Sequence, residues 1–254
     1  MSKEEMPSKK RSALKNDSFF EHERENIHRQ ILSAVSHDLK TPLAAIIGSL
    51  EICERMKGVL SPARNAELLT TALQEAYRLD SFVTNILDMA RLENGLVKFR
   101  KEICHFDSLL RDCIIKSGHY SQVADVKLSC PATGMEFETD PGLFSRVIGL
   151  MLDNAIKHSG PAPVIRVAVE VKDERIIIQV MDDGPGIPPD RIEEIFFKYT
   201  RITRQDHQNA GTGLGLSIGR QIAGLLGGKL FAGNRPEGGA IFTLDIPVGS
   251  PPSP

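Results

Sequence analysis

The 254-residue chain has no tryptophan, three tyrosines and only 6% aromatic residues in all. Its four cysteines, Cys53, Cys104, Cys113 and Cys130, show no C-x-x-C spacing and no paired histidines, which excludes the common zinc spacings and leaves reduced, mostly buried thiols as the expectation. No apolar run approaches the ~20 residues that a membrane span requires. The basic start, MSKEEMPSKKRSALKND, lacks the apolar stretch of a secretory signal. A net charge of −2 offers no basic stripe and hence no footprint for nucleic acid. No repeat of solenoid length is present. What remains is an ordinary globular balance, 41% hydrophobic and 25% charged, expected to form one or two domains in the cytoplasm.

Two periods divide the chain. From about residue 16 to residue 94 the pattern is helical, interrupted at MKGVLSPAR, where Gly58 can end one helix and Ser61-Pro62 can begin another. Ile27, Ile31, Ala34, Val35, Leu39, Ile46 and Leu50 are expected on the inner side of the first arm. Leu69, Ala72, Ala76, Leu79, Val83, Ile86, Leu87 and Ala90 are expected on that of the second. Such a hairpin buries little by itself, and pairing with a second copy into a four-helix bundle is the expected remedy.

From residue 95 to 248 strands and helices interleave without a regular βαβ alternation. Helices are expected from Asp107 to about His119, from Pro141 to His158 and from Leu214 to Leu226. Strands are expected at Asp125 to Ser129, Met135 to Thr139, VIRVAVEV, RIIIQVM, GKLFAGN and GAIFTLDIPV. The spacing predicts an α+β sandwich of one mixed sheet with helices on one face. Residues 1–15 and 249–254 read as flexible ends.

Four segments of this half carry chemistry. VMDDGPGIP follows a strand. There Asp182 could accept from an exocyclic amine such as adenine's, while Gly184 and Gly186 admit a flat ligand close to the backbone. AGTGLGLSIG runs into a helix whose free N–H groups suit a polyphosphate; it contains Gly211, Thr212, Gly213, Leu214, Gly215 and Leu216. Neither segment has Walker or Rossmann spacing, and each alone reads more readily as a tight turn than as a nucleotide site. Between them RITRQDHQNA offers Arg201 and Arg204 to a terminal phosphate, in what could serve as a lid. In LMLDNAIKHSG, Asn154, Lys157 and His158 share a helix face, where an amide oxygen can ligate Mg²⁺ and a lysine can offset phosphate charge. The plainer reading of Lys157 and His158 is that they complement a helix C-terminus before Gly160.

In order, SHDLKTP, LDNAIKHS, DDGPGIP, IFFKY and GTGLGLSI resemble the H, N, G1, F and G2 boxes of sensor histidine kinases. FAGNRPEGGAIFTL further resembles the potassium-responsive, Kdp-type members. The resemblance implies a dimerisation and histidine-phosphotransfer hairpin (16–94), followed by an ATP-binding domain of the Bergerat fold (95–248) shared with gyrase, Hsp90 and MutL. It implies ATP and Mg²⁺ as cofactors, a response regulator receiver domain as partner, a homodimer, and no membrane contact from this segment. By position it makes His37 the phospho-acceptor, Asp38 its acidic neighbour and Thr41 a residue that helps dephosphorylate the regulator. Asn154 becomes the Mg²⁺ ligand, Lys157 a phosphate contact and Asp182 the adenine-binding aspartate. Phe196 and Tyr199 become supports of the lid, with Tyr199 in place of the usual phenylalanine. Two positions depart from the pattern. Leu150 stands where this family often has asparagine and its ATPase relatives a water-activating glutamate; His158 stands where tyrosine is common. A leucine cannot act as a base, which argues against a simple ATP hydrolase. A nucleotide-sensing scaffold without phosphotransfer is the other alternative.

At 100° per residue, Val35, Leu39, Pro42 and Ile46 cluster on one side of the first arm, and His37 points nearly opposite, with Ser33 and Thr41 on its face. Asp38 can hold one imidazole nitrogen protonated and leave the other nucleophilic. Pro42 removes the N–H that would bond the carbonyl of Asp38, so the weak point of the helix falls beside the reactive pair. Replacing Pro42 by alanine is expected to change the ratio of kinase to phosphatase activity, measured by phosphoryl transfer to and loss from a receiver; an unchanged ratio would remove the hinge role.

Overall fold

A computed structural model describes residues 36, 38–118, 125–160, 163–200 and 213–249. The chain divides into two compact units, with the boundary between Leu79 and Asp80. Residues 1–15 and 250–254 lie outside the described residues.

In the first unit α1 is helical through 38–55 and continues without a break across Pro42. The turn that follows contains Gly58, at φ +84°. Helix α2 runs from Pro62 to Glu93. Ser61 caps it as expected: its Oγ accepts from Arg64 N at 3.2 Å and its carbonyl from Asn65 N at 3.0 Å, with Pro62 in the first turn. The inner faces match the expected ones in part: Ala72 is buried and Leu39, Ile46, Leu79 and Ile86 are half-buried. On α1 Pro42 and Ser49 are buried, whereas Leu50, with Leu43 and Ile47, is exposed. On α2 Leu68, Ala72, Phe82 and Met89 are buried, but Leu69, Ala76, Val83, Leu87 and Ala90 are exposed. Residues 69, 76, 83 and 90 recur every seven positions, with Leu73 and Leu87 interleaved. That period belongs to a coiled-coil seam rather than to the inner stripe. The periodicity had merged two apolar stripes into one.

The second unit is built on a five-stranded sheet of order β2-β4-β5-β7-β6, comprising β2 (Asp125–Ser129), β4 (Val164–Lys172), β5 (Arg175–Met181), β6 (Lys229–Asn234) and β7 (Ala240–Pro247). β2 pairs parallel with β4; the other pairs are antiparallel. Strict alternation in β4 and β5 sends Ile165, Val167, Val169, Ile176, Ile178 and Val180 to one face. The β4–β5 turn is Asp173-Glu174, both at positive φ (51° and 58°), the twist that a two-residue hairpin turn requires. The single expected sheet is in fact two. A strand absent from the sequence expectation, β1 (Glu102–His105), pairs with β3 (Glu136–Thr139) in a separate two-stranded sheet. Four alternating residues carry too weak a pattern to announce themselves.

Helices α3 (Phe106–Gly118), α4 (Pro141–His158) and α5 (Gly215–Leu225) contribute to the same core as the buried face of the large sheet. Phe144, Val147, Ile148, Met151, Leu152 and Ala155 of α4 recur at the helical period and are buried. Phe144 packs edge-to-face with Phe137 of β3 and Phe106 of α3, at ring-centroid distances of 5.4 and 6.0 Å, which locks the small sheet to α4. The last turns of α2 belong to this unit: Met89 lies in the core, and Arg146 of α4 bonds Asp88 at 2.7 Å and Asn85 at 2.6 Å. Truncating Phe144 to alanine is expected to lower the unfolding free energy of this unit by about 3–5 kcal/mol, read from denaturant melts.

Candidate functional site

The start of α4 is fixed by Asp140. Its Oδ1 accepts from Leu143 N at 3.0 Å and its Oδ2 from Arg100 N at 2.8 Å, so one carboxylate caps the helix and holds the incoming chain. The helix then carries Asn154, half-buried, and Lys157 and His158, both exposed, to its other end. Asp153 beside them is half-buried, and burial raises its carboxyl above the ordinary range against the opposing pull of Lys157 and Arg146.

Asp182 follows the last residue of β5 and is 1% exposed. Its Oδ1 accepts from Gly184 N at 2.9 Å and from Ala240 N at 3.0 Å, and its own N–H donates to Ala240 O at 3.0 Å. Its Oδ2 is buried and has no hydrogen-bond partner among the described residues. A buried acceptor in that condition costs ~1–3 kcal/mol until a donor reaches it. The floor around it admits no side chain: a Cβ at Gly184 would overlap the carbonyl oxygen of His158, and one at Gly239 the carbonyl oxygen of Asp182 itself. The contact of Gly184 with His158 joins the aspartate loop to the end of α4. Gly186 lies against Asn234.

The second glycine segment meets the other side of α4. A Cβ at Gly215, the first residue of α5, would stand 3.5 Å from Leu150 Cδ2, and Leu150 is buried. Leu150 is therefore a packing residue between α4 and the start of α5. Leu214 is buried at the N-cap, and Leu216 is half-buried in the first turn. Tyr199 N donates to Gly213 O at 2.9 Å, and both residues sit at φ +63°, a conformation rare for tyrosine that concentrates at functional loops. Burial, with Glu93 nearby, raises the Tyr199 phenol. Phe196 is buried beneath Arg220 of α5, whose guanidinium stacks 3.7 Å from the ring and bonds Glu193 at 3.0 Å. On α1 Asp38 is half-buried and Thr41 exposed. His37, Arg201, Arg204, Gly211 and Thr212 lie outside the described residues.

Two of the sequence segments thus converge on α4, which carries the third, one at its end and one at its middle. Asp183, Arg166, Asn234 and Arg235 around the aspartate loop were missed; the NRPEGG turn, with its paired glycines, was the available signal. The donor set fits a nucleotide with Mg²⁺. The bare Oδ2 matches an amine donor, and the one amide at Asn154 suits an ion held largely by substrate phosphates. Among the described residues no cluster of three or more His, Cys, Asp or Glu forms a metal cage of its own.

Comparison with known proteins agrees with this geometry. Residues 139–250 match the family model "Histidine kinase-, DNA gyrase B-, and HSP90-like ATPase", and residues 27–95 match the "His Kinase A (phospho-acceptor) domain". The chain belongs to the histidine kinases and carries the phospho-acceptor and ATP-binding domains in one polypeptide. Within that class it is similar to the sensor protein KdpD of Escherichia coli K12, 36% identical over 91% of this chain and 25% of that protein. It is also similar to KdpD of Clostridium acetobutylicum, 30% identical over 89% of this chain and 25% of that protein. It therefore spans about a quarter of the length of these relatives. Among solved structures, the catalytic domain of histidine kinase ThkA is 26% identical, with a TM-score of 0.52 over 60% of this chain and 97% of that one. ThkA in complex with the response regulator protein TrrA shares the fold at a TM-score of 0.64, over 89% of this chain and 64% of that one, at 24% identity.

The raised Asp153 gives a test of the site's electrostatics. The folded chain holds that proton more tightly than the unfolded chain, so the carboxylate destabilises the fold above its raised pKa, and the penalty fades as pH falls through it. Replacing Asp153 by asparagine is expected to raise Tm by roughly 2–4 °C at about pH 7 and to leave it nearly unchanged at about pH 4, followed by thermal melts.

Proposed function

We propose that this chain transfers the γ-phosphoryl group of ATP to its own His37 and then to an aspartate of a response regulator receiver domain. The observation that carries this reading is the co-occurrence, in one chain, of a phospho-acceptor domain and a nucleotide-type pocket with a bare buried carboxylate oxygen. Asp182 Oδ2 accepts from the 6-amino group of adenine, and the glycines at 184 and 239 let the ring lie on the backbone. The N-terminus of α5, with Gly213, Leu214, Gly215 and Leu216, faces the phosphates together with Lys157 and the segment bearing Arg201, Arg204, Gly211 and Thr212. Gly186, His158 and Tyr199 shape the same pocket. Mg²⁺ would be held by Asn154 and by the phosphates, and would offset their charge. An imidazole nitrogen of His37 forms the new N–P bond as the bond from phosphorus to the ADP oxygen breaks; Asp38 keeps the other ring nitrogen protonated. Leu150 leaves no base at its position to activate water, which favours histidine attack over hydrolysis.

The exposed apolar seams, Leu43, Ile47 and Leu50 on α1 and Leu69, Leu73 and Ala76 on α2, support a homodimer in which a second copy completes a four-helix bundle. Thr41, exposed one turn beyond His37 in sequence, supports a phosphatase activity toward the regulator. The relatives named KdpD support a sensor of the Kdp type. No described helix is long and apolar enough to cross a membrane, and we place this segment in the cytoplasm, without contact to membrane or nucleic acid.

Incubation with γ-labelled ATP and Mg²⁺ is expected to give acid-labile, alkali-stable label on the chain, absent from a His37→Gln variant and chased onto a receiver domain. Label that persists in that variant would remove His37 as acceptor, and phosphate release without any phosphoenzyme would revive the hydrolase.

A further inference from the structure

The turn between β6 and β7 does more than reverse the chain. Arg235 N donates to Gly239 O at 3.0 Å and Gly238 N to Arg235 O at 3.1 Å. The turn so closed carries its two leading side chains back onto the aspartate loop. Arg235 Nη1 donates to the carbonyl oxygen of Asp182 at 2.7 Å and to Asp183 Oδ1 at 2.6 Å. Asp183 also accepts from Arg166 Nη1 at 2.7 Å, so one carboxylate anchors two guanidinium groups. The Arg235 side chain is only 13% exposed, and a cation is withdrawn from water to that extent only where its hydrogen bonds are made. On the far side of the loop Asn234 forms a reciprocal pair with the backbone of Ile187, Oδ1 accepting from its N–H at 2.7 Å and Nδ2 donating to its carbonyl at 2.6 Å. No side chain separates the turn from the loop, because Gly186 lies against Asn234 and Gly239 against Asp182.

Asp182 is thus held at three levels: Oδ1 by two backbone N–H groups, its main chain by Arg235, and the loop beyond it by Asn234. Each bond removes a freedom of the carboxylate, and only Oδ2 is left without a partner among the described residues. From this we infer that Asn234 and Arg235 are positioning residues for nucleotide recognition, which fix the aim of Asp182 Oδ2 and so set the preference for a 6-amino purine over purines that lack that donor. The inference rests on the nucleotide reading of the site. It assigns a function to the side chains of the NRPEGG turn beyond the close approach of Gly239 to Asp182. A site whose buried acceptor is aimed at a donor rejects the analogue lacking it, because the acceptor is then left bare. A carboxylate free to swing toward water pays no such penalty, so loosening the clamp should erode discrimination rather than chemistry.

Calorimetric titration of the whole chain with ATP and with purine riboside triphosphate, which lacks the 6-amino group, tests this. The unsubstituted chain is expected to prefer ATP by about 10–100-fold, the range of one hydrogen bond to a charged acceptor. In Arg235→Met and in Asn234→Asp that ratio is expected to fall at least threefold. The KM for ATP in the phosphorylation assay should rise, and kcat at saturating ATP should hold. Arg166→Met, which loses only the outer bond to Asp183, should keep the ratio. Far-UV circular dichroism monitors folding; if one of the two clamp variants does not fold, the other decides, and if neither folds Arg235→Lys decides by the same ratio. Wild-type discrimination in every folded clamp variant overturns the inference, as does a loss of kcat without a change in the ratio. Failure of the unsubstituted chain to bind ATP would overturn the nucleotide reading itself and this inference with it.

Discussion

The architecture of the second unit turns on one buried carboxylate. Asp182 stands at the end of a strand where the sheet gives way to a loop, with one oxygen committed to two backbone donors and the other without a partner among the described residues. Folding tolerates such an atom only where the surroundings over-determine it. Here glycines bring main chain to main chain on both sides, and the β6–β7 turn closes over the back. The uncompensated acceptor is the fold's strongest statement about its ligand, since a native interior seldom leaves a polar atom unpaired without a use for it.

Helix α4 gives that carboxylate its context. Its first turn is capped by Asp140, its middle packs through Leu150 against the start of α5, and its last residue touches the aspartate loop. The aspartate loop and the glycine segment before α5 are thereby referred to one helix, and the phenylalanine trio packs that helix against α3 and the small sheet. Leucine at position 150 fits this arrangement. In a packing position it supplies apolar contact, and a leucine offers no base there to activate water.

The helical hairpin follows a different logic. Two apolar stripes run along α2, one turned inward and one exposed at seven-residue intervals. A sequence read as a single amphipathic helix cannot separate them, because 3.5 and 3.6 residues per turn diverge by only about 20° in each heptad. The seam becomes visible only when the inner stripe has been buried and the remainder is left exposed. Leu50 was misplaced for the same reason.

The order of helices and long strands, the capping at Ser61 and Asp140, and the position of the aspartate after a strand were all legible along the chain. Each depends on neighbours within a few residues, through periodicity, a cap or a turn. The short strand β1, the split of the sheet into two, and the roles of Leu150, Asn234 and Arg235 were not. They arise from pairings across about 30 to 65 positions, where nothing local marks one arginine as a surface charge and another as the clamp on a carbonyl. Sequence alone marked the segments proposed to carry phosphoryl chemistry, because residue types set in that order along one chain are legible without a fold. Tertiary structure alone decided which oxygen of Asp182 is left bare, since that depends on donors brought from Gly184 on one side and Ala240 on the other.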